Sequence, residues 1–279
     1  MKRLQIIDST TVTLVSGLLF KGVGRHPKTG KKKGVTKFHT VINANEGIPS
    51  DIKFTSAATN DSFMFKPTTL SNGDIMTVDS AYIDYEKFQQ LTDRDVIYVT
   101  RMKKNLKYRI LSDTMYQTSE GLMEARIQHV EFVKLLKGKE AIHHRSGIIT
   151  YVDVRKRKLI SLLTNDMESD PEEIIAIYRQ RWEIELRFKQ MKQNFPLKYF
   201  YGESANAIKI QIWVTLIGNL LLIVMQKGLK RKWSFSGMAT MVRITLMYYV
   251  DFHSLFNNPK RVGDNAFLRS RSTSRTFPF

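Results

Sequence analysis

Tyr178-Arg-Gln-Arg181-Trp182-Glu-Ile-Glu185-Leu-Arg-Phe-Lys-Gln-Met-Lys192 is the stretch from which this chain is best read. It belongs to a predicted helix that starts at Glu172, reaches about Asn194 and is ended by Pro196. Tyr178, Arg181, Glu185 and Lys192 stand at offsets 0, 3, 7 and 14. At about 100° per residue the four fall within roughly 60° of one helix face. Ile175, Trp182 and Leu186 are expected to form the buried stripe beside it. One face thus carries a carboxylate, two cations and a phenol. A carboxylate can hold a divalent metal, and Arg, Lys and a phenol can hold phosphate oxygens. That combination suits an enzyme that cuts nucleic acid.

The rest of the chain agrees with such a substrate. Lys and Arg outnumber Asp and Glu by 44 to 26, for a formal net charge of +18. An excess of that size favours polyanions through counterion release. There is no cysteine, which excludes disulfides and thiolate metal sites and fits a reducing, cytoplasmic setting. No signal peptide is visible after Met1-Lys-Arg. The most apolar run, Ile212 to Met225, is too short for a membrane span and reads as a buried core helix.

Upstream, strands alternate with helices, which predicts an α/β layer. Expected strands are Leu4–Asp8, Val12–Leu19, Val35–Ile42, Ile52–Thr55, Ile75–Val78 and Val96–Thr100. A basic loop fills Lys21–Lys33, and turns are expected at Gly47-Ile-Pro49 and Asn72-Gly73. Helices are expected at Ser62–Leu70 and Tyr82–Leu91. From about Asn105 the pattern changes to short β-rich runs. The expected division is a first core part over 1–104, a β-rich insertion over 105–165 and the catalytic helix within 166–200. Helices follow over 201–256 (about Ser204–Lys230 and Ser234–Tyr249), and a basic, disordered tail over 257–279.

Cleavage of a phosphodiester by two metal ions, roughly 3.5–4 Å apart, needs carboxylates that converge from distant segments. Glu185 is one candidate. Asp8 follows the apolar Leu4, Ile6 and Ile7, where an unpaired carboxylate is costly. Asp79 ends the apolar strand Ile75–Val78. Each has a plainer reading: a turn aspartate for Asp8, a helix N-cap for Asp79, and an i+4 partner for Lys189 in the case of Glu185. Asp74, Asp84 and Glu183 are competitors less well placed. Basic clusters at Lys28–Lys33, Arg101–Lys107 and Arg155–Lys158 suit phosphate contact or a solvated face equally. His143-His144 has no partner spacing that suggests zinc.

In these residues the chain resembles the insertion-sequence DDE transposases of the large group numbered four. The helix face matches that group's Tyr-x2-Arg-x3-Glu-x6-Lys (YREK) signature. Asp8-Ser-Thr resembles the block around its first catalytic aspartate, and Asp79-Ser-Ala-Tyr82 the block around its second. Lys37-Phe-His39, Asn60-Asp61 and Val99-Thr-Arg101 fit the blocks between, and the likeness covers about Leu4 to Tyr249. The resemblance implies an α/β, RNase H-like (retroviral-integrase-like) core with a β-rich insertion and a helical C-terminal part. It implies cut-and-paste DNA cleavage and strand transfer with two Mg²⁺ ions, Mn²⁺ substituting, on Asp8, Asp79 and Glu185. Tyr178, Arg181 and Lys192 would hold DNA phosphates near a flipped terminal base, with Lys37, His39, Arg101 and Lys103 as further DNA contacts. Partners would be double-stranded transposon ends and target DNA, bound by a homodimer.

Two departures stand out. The family carries a helical region ahead of its first aspartate, for which the seven residues before Asp8 leave no room, so a fragment, a late start or a decayed copy is the expectation. Some relatives stack the flipped base on an insertion Trp, whereas the three Trp residues here are Trp182, Trp213 and Trp233. Tyr116, Tyr151 or a histidine are the available substitutes. A non-specific metal nuclease and an inactive DNA-binding remnant are the alternative functions.

Overall fold

The ten-residue strand β1 (Leu4–Thr13) is the centre around which the first part of the chain is built. The structure, a computed structural model, describes residues 3–13, 24–25, 32–33, 35–46, 48–56, 59, 61–117, 124–135, 140–153, 157–195, 197, 200–202, 204–246 and 251–257. It divides into two units, Met1–Phe188 and Lys189–Phe279.

In the first unit β1 does not break after Asp8, as expected, but runs on to Thr13. Thr10 and Thr11 are β-branched and suit a pleated strand. A neighbour also pairs with it along its whole length, from Gln5 to Thr13. The remainder of the expected second strand, 14–19, lies outside the described residues. Within the basic loop β2 (Gly24–Arg25) and β3 (Lys32–Lys33) form a small hairpin. Then β4 (Val35–Asn43) returns antiparallel to β1, and β5 (Ile48–Ser56) antiparallel to β4. The turn falls at 44–46, one step before the expected Gly47-Ile-Pro49. Ile48 and Pro49 already belong to β5, an edge strand, where a proline is tolerated.

The expected helix at Ser62–Leu70 is replaced by two 3-10 turns, Asp61–Met64 and Pro67–Thr69. Pro67 has no N–H to donate and interrupts any longer helix. Gly73, at φ +81°, turns the chain into β6 (Ile75–Val78), buried at every position. A 3-10 turn at Ser80–Tyr82 precedes α1 (Tyr85–Thr92), so this helix begins three residues later than expected. β7 (Ile97–Arg101) follows. Parallel pairing joins β1 to β6 and β6 to β7, leaving β4 antiparallel to β1.

The β-rich stretch supplies β8 (Arg109–Gln117), β9 (Glu124–Lys134), β10 (Ile142–Asp153) and β11 (Lys158–Thr164). Its last strand pairs antiparallel with β7, so the four strands extend the same sheet. The full order is β5-β4-β1-β6-β7-β11-β10-β9-β8. One face buries α1 against Tyr98, Phe132 and Ile148. The other packs Ile149, Tyr151 and Leu162 against Ile174 and Ile175 of α2 (Pro171–Gln180). Pro171 at the first helical position and Glu172 and Glu173 in the first turn suit the start of α2.

The single helix expected from Glu172 to Asn194 is two helices, α2 and α3 (Trp182–Asn194), meeting at Arg181. The Arg181 N–H donates to the carbonyl of Tyr178 at 3.1 Å, three residues back instead of four. Such a tightened turn shifts the phase of everything after it. Trp182 and Leu186, expected in the core, are 49% and 51% exposed, while Ile184 and Phe188 are buried. Pro196, read as the helix stop, lies outside the described residues.

The second unit holds α4 (Ala205–Lys227), α5 (Phe235–Thr245) and α6 (Phe252–Asn257). The Ser204 and Ser234 side chains accept from the N–H groups of Ala207 and Gly237 and cap the first two. Leu222, Phe235, Met238 and Phe256 form the core. Asp251, accepting from the Ser254 N–H at 2.6 Å, starts α6, a helix not anticipated from the sequence. The apolar run at 212–225 lies inside a helix of 23 residues, long and apolar enough to cross a membrane by length and composition alone. It is also not a buried core helix: Ile210, Val214, Ile217, Leu221 and Val224 are more than half exposed. The expected tail from 258 lies outside the described residues.

Candidate active site

Strand β1 keeps β6 as a neighbour only as far as Ile7, which pairs with Val78. Asp8 is the next residue of β1 and Asp79 the next after β6. The two aspartates therefore stand at the same level, where two parallel strands part. Asp8 lies within a strand, opposite Thr40, and not in a turn. Asp79 precedes the 3-10 turn but makes no side-chain cap to it, and α1 begins after Asp84. The plainer readings of both residues are thereby set aside.

Arg181 links this point to the helices. Its guanidinium donates to Asp8 Oδ2 at 3.3 Å and to Glu185 Oε1 at 2.6 Å. Glu185 thus pairs four residues back, with Arg181. The buried guanidinium also lies 5.4 Å from the centre of the Tyr178 ring. Burial lifts the Asp8 carboxyl to about 6, with Asp79 and Glu185 adding to the rise; the Ser9 N–H and Arg181 offset part of it. The Tyr178 phenol is likewise pushed up by burial and so stays protonated.

Beside these residues opens a cavity of about 580 Å³. Asp79, Glu185 and Arg181 line it, with Arg101 from the end of β7. Tyr151, Tyr178 and Trp182 add aromatic walls. Of the two tyrosines weighed as base-stacking groups, Tyr151 faces this cavity, while the Tyr116 hydroxyl donates to Glu172 at 2.8 Å. Asp153 and Arg179, not singled out in the sequence, also line it. Arg179 adjoins Tyr178, and Asp153 ends β10 just before the basic run at 155–158, so their positions carried a faint signal.

The structure brings Asp8, Asp79, Glu185, Tyr178, Arg181 and Arg101 together. Lys103 is exposed just beyond β7. Lys192 lies on α3 within the second unit, on an exposed position. Lys37 and His39, expected as DNA contacts, turn inward. The Lys37 ammonium donates to Asp61 at 3.1 Å and to the Thr59 carbonyl at 3.2 Å. His39 is buried, 2.8 Å from the Thr55 hydroxyl, and burial lowers its basicity.

Among the described residues no three acidic or histidine side chains stand close enough to hold a metal ion between them. A guanidinium occupies the space between Asp8 and Glu185 instead. The donor set still suits a hard cation. It is all carboxylate, and Asp8 resists ionisation because it is buried, with its anionic neighbours adding to the effect.

Comparison with known proteins places the chain in a family. A family model described as "Transposase DDE domain" matches residues 1–220. The chain belongs to the DDE transposase family. A putative transposase, y4zB, of Sinorhizobium fredii is 27% identical over 219 residues, covering 78% of this chain and 60% of that protein. A probable transposase for insertion sequence element IS5377 of Geobacillus stearothermophilus is 25% identical, covering 79% and 56%. A putative transposase for element IS4SA of Synechocystis is 27% identical, covering 77% and 58%. This transposase-family chain thus spans at most about three fifths of the length of these relatives.

Proposed function

We propose that the first unit is an RNase H-like catalytic domain of the YREK group, which cleaves DNA at element ends and joins it to target DNA. The order β5-β4-β1-β6-β7, with β4 alone reversed, supports the fold assignment. The observation that carries the chemistry is Arg181 bridging Asp8 and Glu185 beside a cavity that Asp79 also lines. Asp8, Asp79 and Glu185 would hold the divalent ions, Mg²⁺ or Mn²⁺, which activate the attacking oxygen and stabilise the leaving one.

The chain's own residues then have definite tasks. Arg181 exchanges a carboxylate for a DNA phosphate, an equally good partner for its fork of donors. The protonated Tyr178 hydroxyl donates to the same backbone, and Arg101 and Lys103 add positive charge along the strand. Tyr151 and Trp182 offer faces on which an extruded base stacks, offsetting its unstacking cost. In the first step a water oxygen bonds to phosphorus and the P–O3′ bond breaks, leaving a 3′-hydroxyl. In the second that hydroxyl attacks a target phosphate, displacing another 3′ oxygen. A homodimer would bring two ends together, in the bacterial cytoplasm.

The test is nicking and strand transfer with Mg²⁺ or Mn²⁺ on duplexes ending in the element's inverted repeats, with arbitrary duplexes alongside. Loss of both reactions in Asp8→Ala, Asp79→Ala and Glu185→Gln is expected. Full activity in any one of them removes that residue from the mechanism. Equal cutting of arbitrary duplexes indicates a non-specific nuclease, and salt-sensitive binding without nicking an inactive remnant.

A further inference from the structure

Behind Asp8, on the opposite face of the sheet, lies a polar cluster that the proposed reaction does not use. Its centre is Asp61, which opens the 3-10 turn after β5. Asp61 Oδ1 accepts from the Ser9 hydroxyl at 2.8 Å and from the Lys37 ammonium at 3.1 Å, and lies 3.6 Å from His39 Nδ1. Ser9 and His39 are cross-strand partners, so their side chains share a face. The neighbouring Asp8, one residue away on a strand, points to the other.

Ser9 is held at both ends. Its N–H donates to Asp8 Oδ1 at 2.7 Å, and its hydroxyl is tied to Asp61. The tie falls just where β1 has lost β6 as a neighbour, since that pairing ends at Ile7. Beyond that level the ladder holds β1 from the β4 side alone. The 3-10 turn that Asp61 opens packs against the Ser80–Tyr82 turn that follows Asp79. Asp61 thus sits behind both chain segments that present the candidate aspartates.

We propose that Asp61, acting through Ser9, is a positioning residue for the Asp8 carboxylate. Lys37 neutralises Asp61 and fixes it to β4, Asp61 fixes the Ser9 side chain, and the Ser9 N–H fixes the orientation of Asp8. The inference rests on the proposed role of Asp8 as a metal ligand. Groups that orient a metal ligand from behind typically change metal affinity or activity by roughly 10–100-fold when removed.

The experiment measures Mn²⁺ binding to the DNA-free protein by calorimetry, together with kcat and KM for nicking. Wild type, Ser9→Ala, Asp61→Asn, Asp61→Ala and the Ser9→Ala/Asp61→Ala pair are compared, with Asp8→Ala as reference. Urea denaturation of each identifies variants that fold. Ser9→Ala and Asp61→Ala are expected to weaken Mn²⁺ binding and lower kcat by roughly 10-fold or more, with KM for DNA little changed. The pair should be no worse than either alone, because both break one chain of contacts. Asp61→Asn keeps an acceptor for Ser9 and should recover most of the loss. Wild-type binding and kcat in folded Ser9→Ala overturn the inference while leaving the metal role of Asp8 intact, as they do in folded Asp61→Ala, and Ser9→Ala decides if Asp61→Ala fails to fold. Unchanged Mn²⁺ binding in Asp8→Ala overturns that role, and the inference with it.

Discussion

Replacing Asp8 by Asn should stabilise the metal-free protein while abolishing its proposed activity. Burial, with Asp79 and Glu185 as lesser contributors, lifts Asp8 from 3.8 to about 6. A rise of about 2 units corresponds to about 3 kcal/mol at roughly 1.4 kcal/mol per unit. The folded state holds this proton more tightly than the unfolded chain does. The stabilising contribution is therefore complete below pH 3.8 and is lost as the pH rises through about 6. At pH 8 wild type carries the full penalty of a buried carboxylate. Asn carries none, and it still offers an oxygen to the Ser9 N–H and to Arg181. Relaxation around the charge reduces the difference to roughly 1–3 kcal/mol.

Urea denaturation in chelator at pH 8 and pH 4 measures this. Asp8→Asn should have the higher midpoint at pH 8 with an unchanged slope, and the two proteins should converge at pH 4. Millimolar Mg²⁺ should then stabilise wild type and not the variant, by mass action on the folded state. A variant less stable than wild type at pH 8, or a difference indifferent to pH, would refute this account of the site.

Three further outcomes are expected. Arg181→Gln leaves Asp8 and Glu185 without their shared cation and should cost roughly 2–3 kcal/mol in urea denaturation, less than the 3–5 kcal/mol of a fully buried pair because Glu185 is partly exposed. Arg181→Lys should not restore it, since one ammonium lacks the fork that reaches both carboxylates. Trp182→Ala should change stability by no more than about 0.5 kcal/mol. It should lower cleavage of DNA ends by about 10-fold or more in single-turnover assays, as stacking is worth roughly 1–3 kcal/mol per base. Tyr116→Phe removes the bond to Glu172 and should lower the urea midpoint only slightly, with nicking rates at wild type.

Much of this was legible from short-range pattern. Ile75–Val78 is a strand with those bounds, and Ser204 and Ser234 mark helix starts because a capping serine is a local signal. What was missed depended on partners far away in sequence. Nothing in Lys158–Thr164 says that it pairs with β7, yet that pairing makes nine strands one sheet. Polar Ser9-Thr10-Thr11 looks like an interruption until β4 supplies a ladder opposite it. At the site, residue types were readable and geometry was not. The residues of Tyr178–Lys192 imply one constant helical phase, and the tightened turn at Arg181 breaks it, which is why Trp182 faces outward. Asp61 stood in a noted pair, but its bonds to Ser9 and Lys37 cross 52 and 24 residues.

The tightened turn also bears on how three acids tolerate one another before any substrate arrives. In an unbroken helix Arg181 would be one more residue on a shared face. At the junction of α2 and α3 it is buried, and its guanidinium reaches Glu185 on its own side and Asp8 across 173 residues of chain. Burial raises Asp8, Asp79 and Glu185 add to the rise, and one fixed cation offsets only part of it. On the proposed function, divalent ions supply the missing charge and a DNA phosphate gives Arg181 another partner. Each event then favours the other, because ions between the acids repel the guanidinium and a phosphate draws it away. Linkage makes that coupling reciprocal: DNA should tighten metal binding by the same factor as metal tightens DNA binding.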